Sequence, residues 1–184
     1  FIRRKKLIPD EIFNTKELEK ILVAFNPESK TEGNYYNAIL QNLFFACLNN
    51  PIEDRKFSTE DSFNGVAVDY GVKNLFRDNK KKSWFKISKD EVVDIFKNVP
   101  FLNGGLFECL DKITENNKML YYDGFSRDEK TKDGTLKRAF VPNALFFDKN
   151  KGLITILERY NFTVEENSVD DVEVALDPEL LGKV

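Results

Sequence analysis

The stretch "YYNAILQNLFFACLN", residues 35–49, constrains the fold more than any other. Apolar residues occupy nearly every side of a helix drawn through it, so no face is left for water. Such a helix belongs at the centre of a body, with other segments packed around it. The rest of the chain can supply them. Of its 184 residues, 41% are apolar and 17 are Phe. Each Phe removed from water contributes roughly 1.5–3 kcal/mol, so a sizeable core is within reach. Charged residues make up 32%, which fits a soluble globular chain and argues against disorder.

Periodicity predicts the surrounding elements. "TKELEKILVAF", after Asn14, carries Leu18, Ile21, Leu22 and Phe25 on one helical face, and Pro27 and Gly33 break it. Pro51 closes the central helix, and "PIEDRKFSTEDSFNG" reads as loop with a short extended piece. A third helix is expected over Tyr70–Arg77. "SKDEVVDIFKNV" pairs Ser88 with Glu91 in a capping-box pattern and buries Val92, Ile95, Phe96 and Val99. Pro100 ends it, Gly104-Gly105 makes a turn, and "LFECLDK" is expected to be a short helix with Glu108 and Asp111 on one face. "NKGLITILERYNF" is expected to bury Leu153, Ile156, Leu157 and Tyr160.

The texture changes in "KMLYYDGFSRDEKTKDGTLKRAFVP", where β-favouring stretches flank Asp133-Gly134, a type I′ turn signal. An antiparallel hairpin is placed near 119–147. The fold class is therefore mostly α, an irregular helical bundle with a small antiparallel β-hairpin, over residues 1–163. Residues 164–184 read as an acidic linker and the start of a helix. Asp177 suits the N-cap, Pro178 the first helical position and Glu179 the positive end of the dipole. A helix so signalled and only about one turn long is not stable alone. It reads as cut from a longer one.

Histidine is absent. Ser-His-Asp and Cys-His catalysis and His-bearing zinc sites are thereby excluded within this chain. Cys47 and Cys109 sit in apolar surroundings, the setting of buried reduced thiols, with a disulfide or a metal site as the alternative. No glycine-rich nucleotide motif is complete. With 31 acidic residues, carboxylate pairs arise by chance, and no catalytic, cofactor-binding or metal-ligating residue is assigned. No run approaches the ~18 apolar residues of a membrane span, and no secretory signal is read, so the expected compartment is the cytoplasm.

The net charge is −3, but its distribution is uneven. "RRKK" at 3–6 carries +4, "RDNKKK" at 77–82 carries +3, and 164–184 carries −6. The expected hairpin tip, 126–138, sums to +2. A basic β-ribbon can lie along a phosphate backbone. Arg127, Lys130, Lys132, Lys137 and Arg138, with Lys80, Lys81 and Lys82, are the candidate nucleic-acid contacts. The alternative is a solvated turn of mixed charge, with Trp84 in the core.

"IPDEIF", "NAILQNLFFACLN", "VPFLNGGLFE", "DGF" leading through a charged insert to "RAFVPNALFF", and "FTVEENSVDDVEVALDPELLGKV" together resemble one region of large bacterial adenine-specific DNA methyltransferases. These include single-chain type IIG restriction-modification enzymes and related methyltransferases of phage defence. The resemblance implies a helical connector just before the methyltransferase core, which the last helix would enter. It implies a parent that transfers a methyl group from S-adenosylmethionine to adenine N6, with a nuclease domain using Mg in some members. Partners implied are double-stranded DNA through the parent and the adjacent methyltransferase, nuclease or target-recognition domains. The N-P-P-Y motif and the cofactor glycines are absent here, so no catalytic or cofactor residue carries over. The segment alone is expected to be inactive. The alternative is a protein-interaction module that docks a partner domain without touching nucleic acid.

Overall fold

The computed structural model describes residues 7–58, 62–63, 66–67, 74–79, 82–102, 107–125 and 138–159. At its centre lies the apolar helix, wound through Tyr36–Leu40 and Asn42–Leu48 with Gln41 helical between them. Its turns are wide: the Gln41 N–H reaches back five residues to the Tyr36 carbonyl, which is π winding rather than α. Asn37, Ala38, Ile39, Asn42, Leu43, Phe45, Ala46, Cys47 and Leu48 are buried along it.

Aromatic rings surround this helix. Tyr35 meets Phe146 and Phe147 edge-on, with centroids 5.1 and 4.7 Å away. Phe45 meets Phe125 at 4.9 Å, and Phe44 stacks on Phe107 at 5.6 Å. Phe76 meets Phe96 at 5.7 Å. Rings at such distances add edge and offset-stacking attraction to their burial.

Helix α1, Thr15–Ile21, starts where Asn14 caps it: the side chain accepts the N–H groups of Lys16 at 2.9 Å and Glu17 at 3.3 Å. It stops short of the expected Phe25. Leu22 is extended and bridges Phe85, Val23 N–H donates to the Trp84 carbonyl at 2.7 Å, and Lys86 N–H to the Ile21 carbonyl at 2.8 Å. Ala24 follows with a φ of 51°. Cross-chain pairing takes over from the helix there.

Helix α2, Lys89–Ile95, carries the expected capping box between Ser88 and Glu91 and buries Val92, with Phe96 and Val99 buried beyond its end. The helix expected over 70–77 is not formed at Leu75–Arg77. Phe76 instead pairs in parallel with Phe57, Ser58 N–H donating to the Phe76 carbonyl and Phe76 N–H to the Lys56 carbonyl, each at 2.9 Å.

Strand is sparse among the described residues. Strands β1 (Ser62–Phe63) and β2 (Val66–Ala67) pair antiparallel, as do β3 (Lys112–Ile113) and β4 (Met119–Leu120), with Lys112 opposite Leu120. The expected "LFECLDK" helix is therefore replaced by a loop leading into β3. The expected turn at Asp133-Gly134 lies outside the described residues, as do Gly104-Gly105 and everything beyond 159.

Helices α3 (Ala144–Phe147) and α4 (Leu153–Glu158) pack together. Here the expected stripe is turned round: Ile154 is the buried residue of α4, and Leu153, Ile156 and Leu157 face solvent. No described helix is long and apolar enough to cross a membrane.

Candidate functional site

Arg138, a candidate phosphate contact, lies in the interior at 4% exposure. Its Nε donates to Gln41 Oε1 at 3.1 Å. The guanidinium covers the Trp84 ring at 4.8 Å and the Phe125 ring at 5.5 Å. A planar, weakly hydrated cation suits such a stacked site. Arg138 is thus corrected from an exposed contact to a tie between its own segment and the central helix. Beside this node, burial and then the Asp123 carboxylate push the Tyr36 hydroxyl above its ordinary pKa. Lys82 is exposed. Lys80, Lys81, Arg127, Lys130, Lys132 and Lys137 lie outside the described residues.

Two further polar nodes bind backbone to backbone. Asn143 accepts the Tyr35 N–H at 3.1 Å and donates to Asn34 Oδ1 at 2.8 Å and the Asn26 carbonyl at 3.0 Å. Arg55 donates to the carbonyls of Cys47 at 2.8 Å, Phe96 at 3.0 Å and Asn50 at 3.2 Å. It thereby satisfies carbonyls near the C-terminal ends of both the central helix and α2. Burial lowers the Arg55 pKa, and burial pushes the Cys47 thiol far above its ordinary value. Cys47 is therefore a core group without nucleophilic character.

The Cys109 thiol and the Asp111 and Asp123 carboxylates place donor atoms within 4.8 Å of one another. Sulfur and two carboxylates could in principle ligate a divalent ion. The carboxylates already have another role. Asp111 Oδ1 accepts the N–H groups of Asp123 at 2.9 Å and Gly124 at 3.0 Å, and Asp123 accepts the Leu110 N–H in return. Gly124 has a φ of 63°, which favours glycine, so the chain can turn there. The pair latches two loops together. Glu108 is exposed while Asp111 is buried, so the expected carboxylate pair is not formed. Asp111 and Asp123 stand twelve residues apart and flank the β3–β4 pair, a relation that their own sequence spacing does not signal.

A surface groove of about 450 Å³ is lined by Arg55, Lys56, Phe57, Lys89, Asp94 and Lys97, with Asp90 and Val93. Lys89 sits 5.7 Å from the Phe57 ring, and Lys97 pairs with Asp94 at 2.9 Å. Its charge is mixed, so it does not form a continuous basic track.

No family model matches this chain, and comparison with curated proteins and with solved structures finds no match.

Proposed function

We propose that this chain is a non-catalytic connector of a DNA adenine-N6 methyltransferase or type IIG restriction-modification enzyme. It holds the catalytic and target-recognition domains at fixed spacing on DNA, and its basic segments touch phosphates. In this reading the stretch around Asp133-Gly134 is a basic β-hairpin, and Lys80, Lys81, Lys82, Arg127, Lys130, Lys132 and Lys137 supply the contacts. The parent supplies S-adenosylmethionine chemistry, and Mg chemistry where it also cuts.

The observation that carries the reading is how the buried polar side chains are used. Arg138, Asn143, Arg55 and Asn42 each join segments at least 35 residues apart. Buried hydrogen bonds of this kind rigidify and specify one arrangement. A spacer needs that property. The parent named in this reading rests on the sequence resemblance.

A salt series tests the DNA part. Neutralising the seven basic residues in the gene product that contains this chain should weaken DNA binding and flatten its salt dependence. Unchanged affinity and slope would remove the contacts from the account. The second reading, a protein-docking module, is favoured by the solvent-facing leucines of α4. It requires association that salt hardly alters.

A further inference from the structure

Helix α4 leaves Leu153, Ile156 and Leu157 at 50%, 36% and 45% exposure. At i, i+3 and i+4 they form one stripe. All three stand on the solvent-facing side of a six-residue helix. Its border is basic. Lys149 and Lys151 precede the helix and Arg159 follows it, all exposed. Arg159 donates to the Lys149 carbonyl at 3.3 Å, which draws the two ends together. Lys149 also holds Glu28 at 3.0 Å, and Asp148 lies among these groups. Over 148–159 three basic residues stand against Asp148 and Glu158, a net +1.

We propose that this stripe is the docking site of the chain's own stretch 164–176, "VEENSVDDVEVAL". That stretch carries Glu165, Glu166, Asp170, Asp171 and Glu173 with no basic residue, a charge of −5. Val164, Val169, Val172, Val174 and Leu176 are interleaved with them. Its acidic residues complement the basic border, and its aliphatic residues suit the stripe. The stretch begins six positions after Glu158, so the short tether holds it at an effective concentration of roughly millimolar. Weak apolar contact is then enough to keep it in place. The inference does not depend on the connector reading and stands if that reading falls.

Hydrogen exchange on the full chain tests it. Docking predicts slow exchange in 164–176. In the variant Leu153→Ser/Ile156→Ser/Leu157→Ser, exchange there should quicken about tenfold. Unchanged slow exchange across 36–48 verifies that the body is intact. A second variant, Lys149→Glu/Lys151→Glu, should loosen the stretch at low salt and have little effect at high salt. Three results would overturn the proposal. One is exchange in 164–176 of the unaltered chain as fast as in an unstructured peptide. Another is protection that both variants leave unchanged. The third is protection that rises with protein concentration, which assigns the stripe to a second copy of the chain.

Discussion

Arg138 and Gln41 stand 97 residues apart in the sequence and meet in the interior, Arg138 Nε donating to Gln41 Oε1 at 3.1 Å. Truncating this arginine leaves Gln41 without its charged donor and uncovers the Trp84 ring. Arg138→Met should cost about 1.5–3 kcal/mol of stability, the range for a hydrogen bond to a charged group. Arg138→Lys should recover only part of this, because an ammonium has no planar fork. Trp84 is the single tryptophan, so urea unfolding followed by its emission reads both effects.

Asn143 accepts the buried Tyr35 N–H and donates to two oxygens, those of Asn34 and Asn26. Asn143→Ala should cost about 2 kcal/mol, since the Tyr35 amide loses its acceptor. Asn143→Asp keeps that acceptor but sets a carboxylate against both oxygens. Its penalty should therefore grow as pH rises through the carboxyl range, which denaturation at two pH values would show.

At Gly152 an added Cβ would meet Asp148 N at 2.5 Å, Asp148 O at 2.6 Å and Phe146 O at 2.7 Å. All three are backbone atoms, so no side chain can swing away. Gly152→Ala should force α3 and α4 apart and cost about 1–3 kcal/mol, read from thermal unfolding. The same variant should loosen Phe146 from Tyr35, visible as faster ring flipping by NMR.

The central helix, its burial and the α2 capping box were legible in the sequence, because each rests on local pattern. An all-round apolar helix must be buried whether its turns are α or π, so the reading survives a winding that no residue type announces. Helix α1 was legible at its start, where Asn14 caps it, but not at its end. There the pairing of Leu22 with Phe85 overrides propensity. The turned face of α4 has a similar cause. Leu153, Ile156 and Leu157 repeat as a core stripe does, while Gly152 seats the helix against the Phe146–Asp148 backbone and sends Ile154 inward. The role of Arg138 was hidden because a basic residue in a basic run gives no local sign that Gln41 and Trp84 await it.

Stability should fall at both ends of the pH scale. Hydrogen bonds from Ser88 hold the Glu91 carboxyl below its ordinary 4.5, and the N–H groups of Asn150 and Lys151 hold Asp148 below 3.8. Groups depressed on folding contribute stability that is present above those ordinary values and lost as pH falls through the folded ones. Cys47 and Tyr36 are raised from 9.0 and 10.0 by burial. Their contribution is present below those values and lost as pH rises above them. Denaturation midpoints across pH should show both slopes. Ser88→Ala should reduce the acid one, and Cys47→Ala and Tyr36→Phe should reduce the alkaline one.

As proposed, this chain would hold geometry for a DNA adenine methyltransferase and perform no chemistry itself. The direct measurement is 6-methyladenine formed from S-adenosylmethionine in DNA, quantified by mass spectrometry. It is made with the full-length gene product containing these residues, with its Gly152→Ala variant, and with the 184-residue chain alone. Methylation is expected from the full-length protein, less from the variant and none from the chain alone. Methylation by the isolated chain, or its absence with the full-length product, would contradict the proposal.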